Sequence, residues 1–273
     1  LHRRRHSFPT RRSSDLAGLC AEDRALENEL RYLRASRANM IEEAQDARIN
    51  QKRWAALAAR RQQEAYNRFV ERFEKEFRFK IGASCPTLRE DFDKLVYLVG
   101  LASGMQAIVN DIAAQGVVGV PKDIAAIVER GMACLDNAEY WGVPMATRAA
   151  VWSLLPGASE GKPDPFTVMK DSTRVGERKG VRLAHAIYAL AAQAKGDEAL
   201  LRDALKTYGA STNMAVNPQY RLLDALGGMM VQTISDRYWT EKTGTRTPED
   251  GYVKFWDDKP SAEGTGVSID DLL

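Results

Sequence analysis

The amino-acid sequence predicts an all-α protein in which a long N-terminal, coiled-coil-like helix precedes a bundle or short solenoid of helical hairpins. Residues 22–78 contain neither Gly nor Pro, and apolar residues beyond position 86 recur at helical spacing. No useful length of the chain alternates apolar and polar residues as a strand would. We divide the chain into the five segments 1–16, 17–21, 22–80, 86–243 and 244–273.

The first segment, residues 1–16, is interpreted as non-native. Residues 6–16 read HSFPTRRSSDL, the translation of a common short-read sequencing adapter, and such additions are set aside before fold reasoning. The alternative is a natural basic leader. Without the segment, Lys+Arg falls from 39 to 34 and Asp+Glu from 37 to 36, so the formal charge changes from +2 to −2. That charge gives no support for a nucleic-acid partner.

Residues 17–21 resemble the end of a secretory signal peptide. The small residues around Cys20 give way abruptly to acidic residues at Glu22, which suggests cleavage after Ala21. The alternative is the opening turn of a cytoplasmic helix. The longest uncharged apolar stretch, Leu95–Asn110, is too short and mixed for a membrane span, so no transmembrane segment is expected. We therefore expect a periplasmic or envelope-associated protein, with the cytoplasm as the alternative.

Segment 22–80 carries a heptad-like stripe that is interrupted at Arg37 and Gln51. The stripe comprises Leu26, Leu30, Leu33, Met40, Ala44, Ala47, Trp54 and Ala58. It indicates a coiled coil or antiparallel hairpin that self-associates or binds a protein partner through residues 22–78. The alternative is a long helix packed on its own domain. Residues 22–78 are predicted to form one long helix, and a kink or hairpin near Asn50–Gln51 is the alternative.

Segment 86–243 is predicted to hold the helical bundle. The expected helices span residues 87–115, 121–138, 144–155, 172–195, 197–208 and 218–242. Two Gly-Val-Pro turns, at 119–121 and 142–144, are typical of helix-to-helix junctions. The tail 244–273 is expected to be irregular and partly disordered, with an aromatic island, Tyr252–Trp256, that docks on the body or serves as a partner motif.

The cysteines offer one candidate covalent link. Cys85 and Cys134 are expected to form a disulfide if the protein is exported, and otherwise to remain free thiols. The sequence has no C-x-x-C pair and, outside the adapter segment, one histidine, so no metal site is expected. No phosphate-binding glycine motif appears, and no cofactor is expected.

Two places carry candidate ligand-binding residues. Asp136, Glu139, Tyr140, Trp141 and Trp152 form a polar-aromatic group suited to a pocket wall, although turn chemistry also explains these residue types.

The second place is His185, which lies among apolar helical residues without an evident nucleophile or orienting partner. No catalytic residue is therefore assigned, and a structural histidine is the alternative.

The leading functional hypothesis is a non-enzymatic scaffold or binding protein of the bacterial cell envelope. One alternative is a cytoplasmic adaptor that self-associates through a coiled coil. Another is a helical small-molecule binder or enzyme with a pocket near residues 136–152.

Overall fold

A computed structural model describes residues 13–258. Within that range the chain forms nine α-helices and one short 3-10 turn, with no strand, so the all-α prediction is confirmed. The helices are α1 Ser13–Arg37, α2 Ile41–Phe77, α3 Asp91–Ala113, α4 Ile124–Met132, α5 Val143–Leu154, α6 Pro165–Lys179, α7 Leu183–Lys195, α8 Glu198–Ala210 and α9 Arg221–Thr243, with the 3-10 turn at Pro218–Tyr220. Residues 1–12 of the adapter segment and residues 259–273 of the tail lie outside the described range.

The predicted single N-terminal helix is in fact two helices. The chain reverses at residues 38–40 rather than near Asn50–Gln51, because Asn39 adopts a left-handed φ of 56°. Asn tolerates this conformation and commonly ends helices. The N–H of Met40 then donates to the Ala35 carbonyl at 2.9 Å. α1 and α2 therefore pack as an antiparallel hairpin.

The hairpin is held together by a seam of small buried residues. These are Ala21, Ala25 and Ala35 in α1 and Ala44, Ala47, Ala55 and Ala58 in α2. Trp54, which we expected in the stripe, is 37% exposed, and Gln51 is buried instead. The other stripe residues of α2, Ala44, Ala47 and Ala58, are buried as expected, so Trp54 is the one that turns outward. Small side chains allow close approach of the two helices, so this seam is occupied within the chain.

Residues 17–21 are helical and belong to α1. Ala21 is fully buried, and Gly18 lies against the side chain of Gln62 on α2. Signal-peptide cleavage after Ala21 stays a prediction. Such cleavage would remove the first turns of α1.

Two main hydrophobic clusters form the rest of the core. The first joins α2, α3 and α4 and includes Phe73, Tyr97 and Leu101. The second joins α5 to α9 and includes Met169 and Leu205. The N-terminal hairpin also contacts α9, where arginine side chains of α1 donate to the last carbonyls of α9. Cationic groups at a helix C-terminus satisfy its free carbonyls and complement its dipole.

The helix predicted over 172–195 is also two helices. Gly180 ends α6 with a left-handed φ of 74°, and a Cβ there would collide with the backbone of Asn217. Ser172 and Thr173, at the start of that predicted helix, lie inside α6 and bond back to carbonyls of the preceding turn. The cap is Asp164, whose side chain accepts from Thr167 N at 2.7 Å.

The helix expected over 121–138 is shorter than predicted. α4 ends at Met132, and residues 133–142 form successive turns. The aromatic island in the tail is docked on the body: Phe255 is buried, and Trp239 Nε1 donates to the Gly251 carbonyl at 2.9 Å. The described part of the tail, residues 244–258, is therefore folded.

Helix α3 is, within residues 13–258, the one helix long and apolar enough to cross a membrane by those two criteria. In this structure it packs between α2 and α4 and buries polar residues, Asn110 and Asp111, near its end. Asp111 accepts from Val118 N and Val120 N, both at 2.9 Å. These contacts are those of a core helix.

Candidate functional site

A cavity of about 200 Å³ lies between the start of α3 and the turns that follow α4. We call it the disulfide cavity. Its walls combine apolar, aromatic and charged side chains, namely Pro86, Leu88, Lys94, Tyr97, Cys134, Leu135, Asp136, Glu139 and Tyr140. The residues come from two stretches of chain about forty residues apart, so only tertiary packing brings them together.

A covalent link joins the two stretches. The sulfur atoms of Cys85 and Cys134 lie 2.08 Å apart, and their Cα atoms are separated by 5.3 Å, which is ordinary disulfide spacing. Arg130 Nε adds a second tie, because it donates to the Gly82 carbonyl at 2.6 Å. The loop that carries Pro86 is thereby fixed against the end of α4.

The charged groups of the cavity meet at one carboxylate. Glu139 Oε1 accepts from Lys94 Nζ and from the Tyr140 hydroxyl, each at 3.1 Å. Lys94 Nζ also lies 3.3 Å from Asp91 Oδ1. The backbone N–H of Glu139 donates to Asp136 Oδ1 at 2.6 Å, which fixes the turn that presents both acids.

These contacts shift two pKa values. Hydrogen bonds from Lys94 to Glu139 and then to Asp91 raise the pKa of the Lys94 ammonium. Burial, followed by the hydrogen bond to Glu139, raises the pKa of the Tyr140 hydroxyl. Both groups therefore stay protonated at neutral pH, as hydrogen-bond donors rather than as bases.

Tyr97, one of the wall residues, carries a polar atom without a partner among the described residues. Its side chain is wholly shielded from solvent, and its hydroxyl has no hydrogen-bond partner within the described residues. The hydroxyl lies beside Gly131, close to where a Cβ would be on that residue. Burial raises the pKa of this phenol. A buried hydroxyl without a partner carries an uncompensated desolvation cost.

Three of the six candidate ligand-binding residues line the cavity: Asp136, Glu139 and Tyr140. Trp141 is buried in the core with a positive φ of 55°, and its ring packs 4.5 Å from that of Tyr220. Trp152 is buried elsewhere and donates from Nε1 to Glu129 Oε1 at 2.9 Å.

Sequence reasoning missed Lys94 and Tyr97. They lie three residues apart on α3, a helix whose apolar composition indicated only a core role. The charged residues at its start, Asp91 and Lys94, were the available signal.

His185, the sixth candidate, is fully buried in α7 and does not line the cavity. Its Nε2 lies 3.0 Å from Glu177 Oε1, and its Nδ1 has no partner within the described residues. Burial lowers the pKa of the imidazole and outweighs the opposing effect of the hydrogen bond to the Glu177 carboxylate. A neutral, enclosed histidine of this kind is a structural element of the bundle.

A buried ion pair flanks the histidine. Asp224 accepts from the Arg182 backbone N–H at 2.8 Å and from its Nε at 2.9 Å. Burial opposes ionisation of Asp224, but the Arg182 hydrogen bonds prevail and lower its pKa. The pair joins the start of α7 to α9. Its hydrogen bonds, like that of His185, are made to other residues of the fold.

A second surface lies at the tip of the N-terminal hairpin. This tip groove is open, encloses about 510 Å³, and is lined by Tyr32, Ser36, Asn39, Met40, Ile41, Ala44, Gln45, Arg48 and Ile49. Three of its apolar side chains, Met40, Ile41 and Ile49, are at least half exposed. Within residues 13–258, no group of three or more His, Cys, Asp or Glu is arranged to hold a metal ion.

Comparison of the chain with protein-family models, with curated proteins and with solved structures finds no match in any of the three. Function is therefore inferred from the geometry and chemistry of the two surfaces.

Proposed function

We propose that this protein is a non-enzymatic binding protein of the bacterial cell envelope, and that the disulfide cavity is its binding site. The observation that carries the proposal is the link between Cys85 and Cys134, because it joins two walls of the cavity. Disulfides persist in oxidising compartments such as the periplasm and are rare in the cytosol. A site held in shape by a disulfide suits an exported protein.

The chemistry of the titratable groups supports binding rather than catalysis. A general base must reach the proton that it removes, whereas His185 is fully enclosed and bonded to Glu177. In the cavity, Lys94 and Tyr140 have raised pKa values and donate to Glu139. The polar groups are thus suited to recognising a ligand of fixed shape and charge.

Processing after Ala21 is compatible with the hairpin. It would place Glu22 at the start of the mature chain, and Glu22 Oε1 accepts from Gln62 Nε2 at 2.7 Å. The first residue of the mature protein would then be anchored to α2 rather than free.

The test is a thiol map of the protein in its source cells. Cells are quenched in acid, fractionated and alkylated before and after reduction, and peptides are identified by mass spectrometry. We expect Cys85 and Cys134 to react only after reduction, in an envelope fraction where the chain begins at Glu22. Direct alkylation of both cysteines in a cytosolic fraction, with the exposed Cys20 still present in the chain, contradicts the proposal.

The tip groove favours a second candidate, the self-associating adaptor. The alanine seam is occupied within the hairpin, so the surface left for association is the groove around Met40, Ile41 and Ile49. Light scattering tests this with the variant Ile41→Glu. Ile112→Glu is the matched control, since Ile41 is 69% exposed and Ile112, outside the groove, is 68% exposed. A dimer that dissociates only with Ile41→Glu supports the candidate, and a monomeric wild type at high concentration rejects it.

A further inference from the structure

We propose that the tip groove of the N-terminal hairpin is the docking site for the chain's own residues 267–273. This segment reads VSIDDLL and combines four apolar side chains with two adjacent acids, Asp270 and Asp271. The inference goes beyond the proposed function, because the disulfide cavity has no part in it. The occupant is intramolecular, and a second copy of the chain is the competitor that the experiment separates from it.

The groove presents an apolar surface that the described chain leaves open. Met40, Ile41 and Ile49 line it and are all at least half exposed. Its volume of about 510 Å³ accommodates several aliphatic side chains. Single apolar residues on a surface are ordinary, whereas apolar residues grouped in a concave surface mark an interaction site. A segment that covers them gains free energy in proportion to the apolar area removed from water.

The ionisable groups of the groove favour an acidic segment. Arg48 is the one charged side chain among the nine described residues that line it, and Lys52 follows one helical turn later on the same side of α2. Glu29 Oε1 lies 4.0 Å from Arg48 Nη1 but 3.1 Å from Arg237 Nε, so it pairs chiefly with Arg237. The Arg48 guanidinium has five N–H donors, and its charge is complementary to the two aspartates of the segment.

The other charges of the hairpin tip are engaged outside the groove. Glu43 and Asp46 pair with Arg31 and do not line the groove. The Arg48 guanidinium instead lies 5.1 Å from the centroid of the Tyr32 ring, which is another lining residue. The cation is therefore held at the groove, where a carboxylate of the docked segment would meet it.

The described chain ends close to the hairpin tip. Asp257 pairs with Arg202, and Arg202 pairs with Glu198. Glu198 in turn contacts Lys242 in the last turn of α9, and the Lys242 carbonyl accepts from Arg37 Nη1 at 2.9 Å. Arg37 is the last residue of α1. The end of the described chain and the groove therefore both lie at the C-terminal end of α9.

The intervening chain is long enough to join them. Residues 259–266 read KPSAEGTG, and a polar composition with Gly and Pro is typical of a linker. Eight residues span at most about 26–29 Å. The α2 side of the groove, from Ile41 to Ile49, is only about 12 Å long by helical rise. Docking within one chain is therefore compatible with the described fold.

The test is cross-linking of the oxidised full chain at low concentration. In a Cys20→Ser background, Gln45→Cys places a thiol in the groove and Ser268→Cys places one in the segment, and a short bismaleimide joins the two. Isotope-labelled and unlabelled chains are mixed, so that mass spectrometry of the linked peptides shows whether a link lies within one chain. Asn67→Cys with Ser268→Cys is the matched control pair, because Asn67 is exposed on α2 but does not line the groove.

We expect the groove pair to link within one chain about tenfold faster than the control pair, because docking raises the local concentration of the two thiols. Ile41→Glu, or Asp270→Lys together with Asp271→Lys, should lower that rate about tenfold, the effect of losing an apolar contact or a charge-assisted bond. Adding Arg48→Glu to the two lysine substitutions should restore part of the rate. Ile112→Glu should not change it, since Ile112 is as exposed as Ile41 and lies outside the groove.

Two results overturn the inference. Equal linking of the groove pair and the control pair, or a rate that Ile41→Glu leaves unchanged, means that residues 267–273 do not occupy the groove. Links that join only labelled with unlabelled chains mean that the occupant comes from a second copy of the protein. Neither result concerns the disulfide cavity, so the thiol map of the source cells still decides the proposed function on its own.

Discussion

The Nε2 atom of His185 lies 3.0 Å from Glu177 Oε1 while the imidazole itself is fully buried. The ring also lies near Arg182, which caps the start of its own helix, and near Tyr208 and Asp224 of α8 and α9. Of these, Asp224 favours and Arg182 opposes a positive charge on the ring. Burial prevails, so the folded protein holds the histidine neutral.

This burial predicts acid sensitivity. The pKa of His185 is lower in the folded chain than its unfolded value of about 6.5. The unfolded chain therefore binds the proton more readily, and the stability contribution, present above about pH 6.5, is lost as pH falls toward the folded pKa. The slope is at most about 1.4 kcal/mol per pH unit.

The measurement is the free energy of urea unfolding of wild type and His185→Gln between pH 7.5 and 5. The difference between the two proteins should shrink as pH falls, because the variant lacks the titrating group. Glu22, whose pKa burial raises, contributes with the opposite sign but cancels in that difference. A constant difference over this range would show that His185 does not titrate differently on folding.

The unpartnered Tyr97 hydroxyl predicts a stabilising substitution. Tyr97→Phe removes a buried polar atom that has no partner within the described residues, so the free protein should gain about 1 kcal/mol. The matched control is Tyr188→Phe, because Tyr188 is equally buried but its hydroxyl donates to Asp203 Oδ2 at 2.6 Å. That variant should lose about 1–2 kcal/mol, and equal effects in urea melts would refute the distinction.

The link between Cys85 and Cys134 predicts a redox-dependent stability. It closes a loop with a sequence separation of 49 residues, for which chain-entropy reasoning gives about 4 kcal/mol. Reducing agent, or the double replacement by Ser, should lower the free energy of unfolding by roughly 2–4 kcal/mol. Cys20→Ser serves as the control and should not change it, since Cys20 is an exposed free cysteine.

Position 142 is expected to tolerate no side chain, so Gly142 should be hard to replace. It has a φ of 79°, and a Cβ there would collide with the carbonyl oxygen of Ser172. Gly161 has a similar φ of 68°, and a Cβ there would have no atom within 4 Å. A substitution at Gly161 therefore measures the cost of the left-handed backbone alone.

Gly161→Ala should therefore cost about 1–2 kcal/mol, and Gly142→Ala distinctly more, because α5 must move away from α6. Thermal melts of the two variants make the comparison. Similar losses would mean that the close approach between these helices relaxes at little cost.

Local patterns predicted which segments are helical, but not always where one helix ends. The Gly-Val-Pro turn at 142–144 marked the start of α5 to within one residue. Asn39 and Gly180 were weaker signals, because neither is followed by proline and the residues around them continue a helical pattern. Both end helices where the chain beyond them packs back on the body, which is a non-local condition.

The candidate site was predicted in part for the same reason. Asp136, Glu139 and Tyr140 lie close together in the sequence and were recognised as one group, and all three line the cavity. Lys94 and Tyr97 reach it from α3, across the link between Cys85 and Cys134. No local sequence pattern predicts that these residues lie together, because their positions depend on how α3 and α4 pack.

The sequence by itself determined the helical class of the described chain, since residues 22–78 lack helix-breaking residues and later apolar positions follow helical spacing. Only the tertiary structure decided that the alanine stripe closes a hairpin within one chain, that His185 is enclosed beside Glu177, and that Tyr97 and Glu139 line the same cavity. Helix formation follows from neighbouring residues, whereas burial and charge pairing arise between residues far apart in the chain, and these only packing brings together.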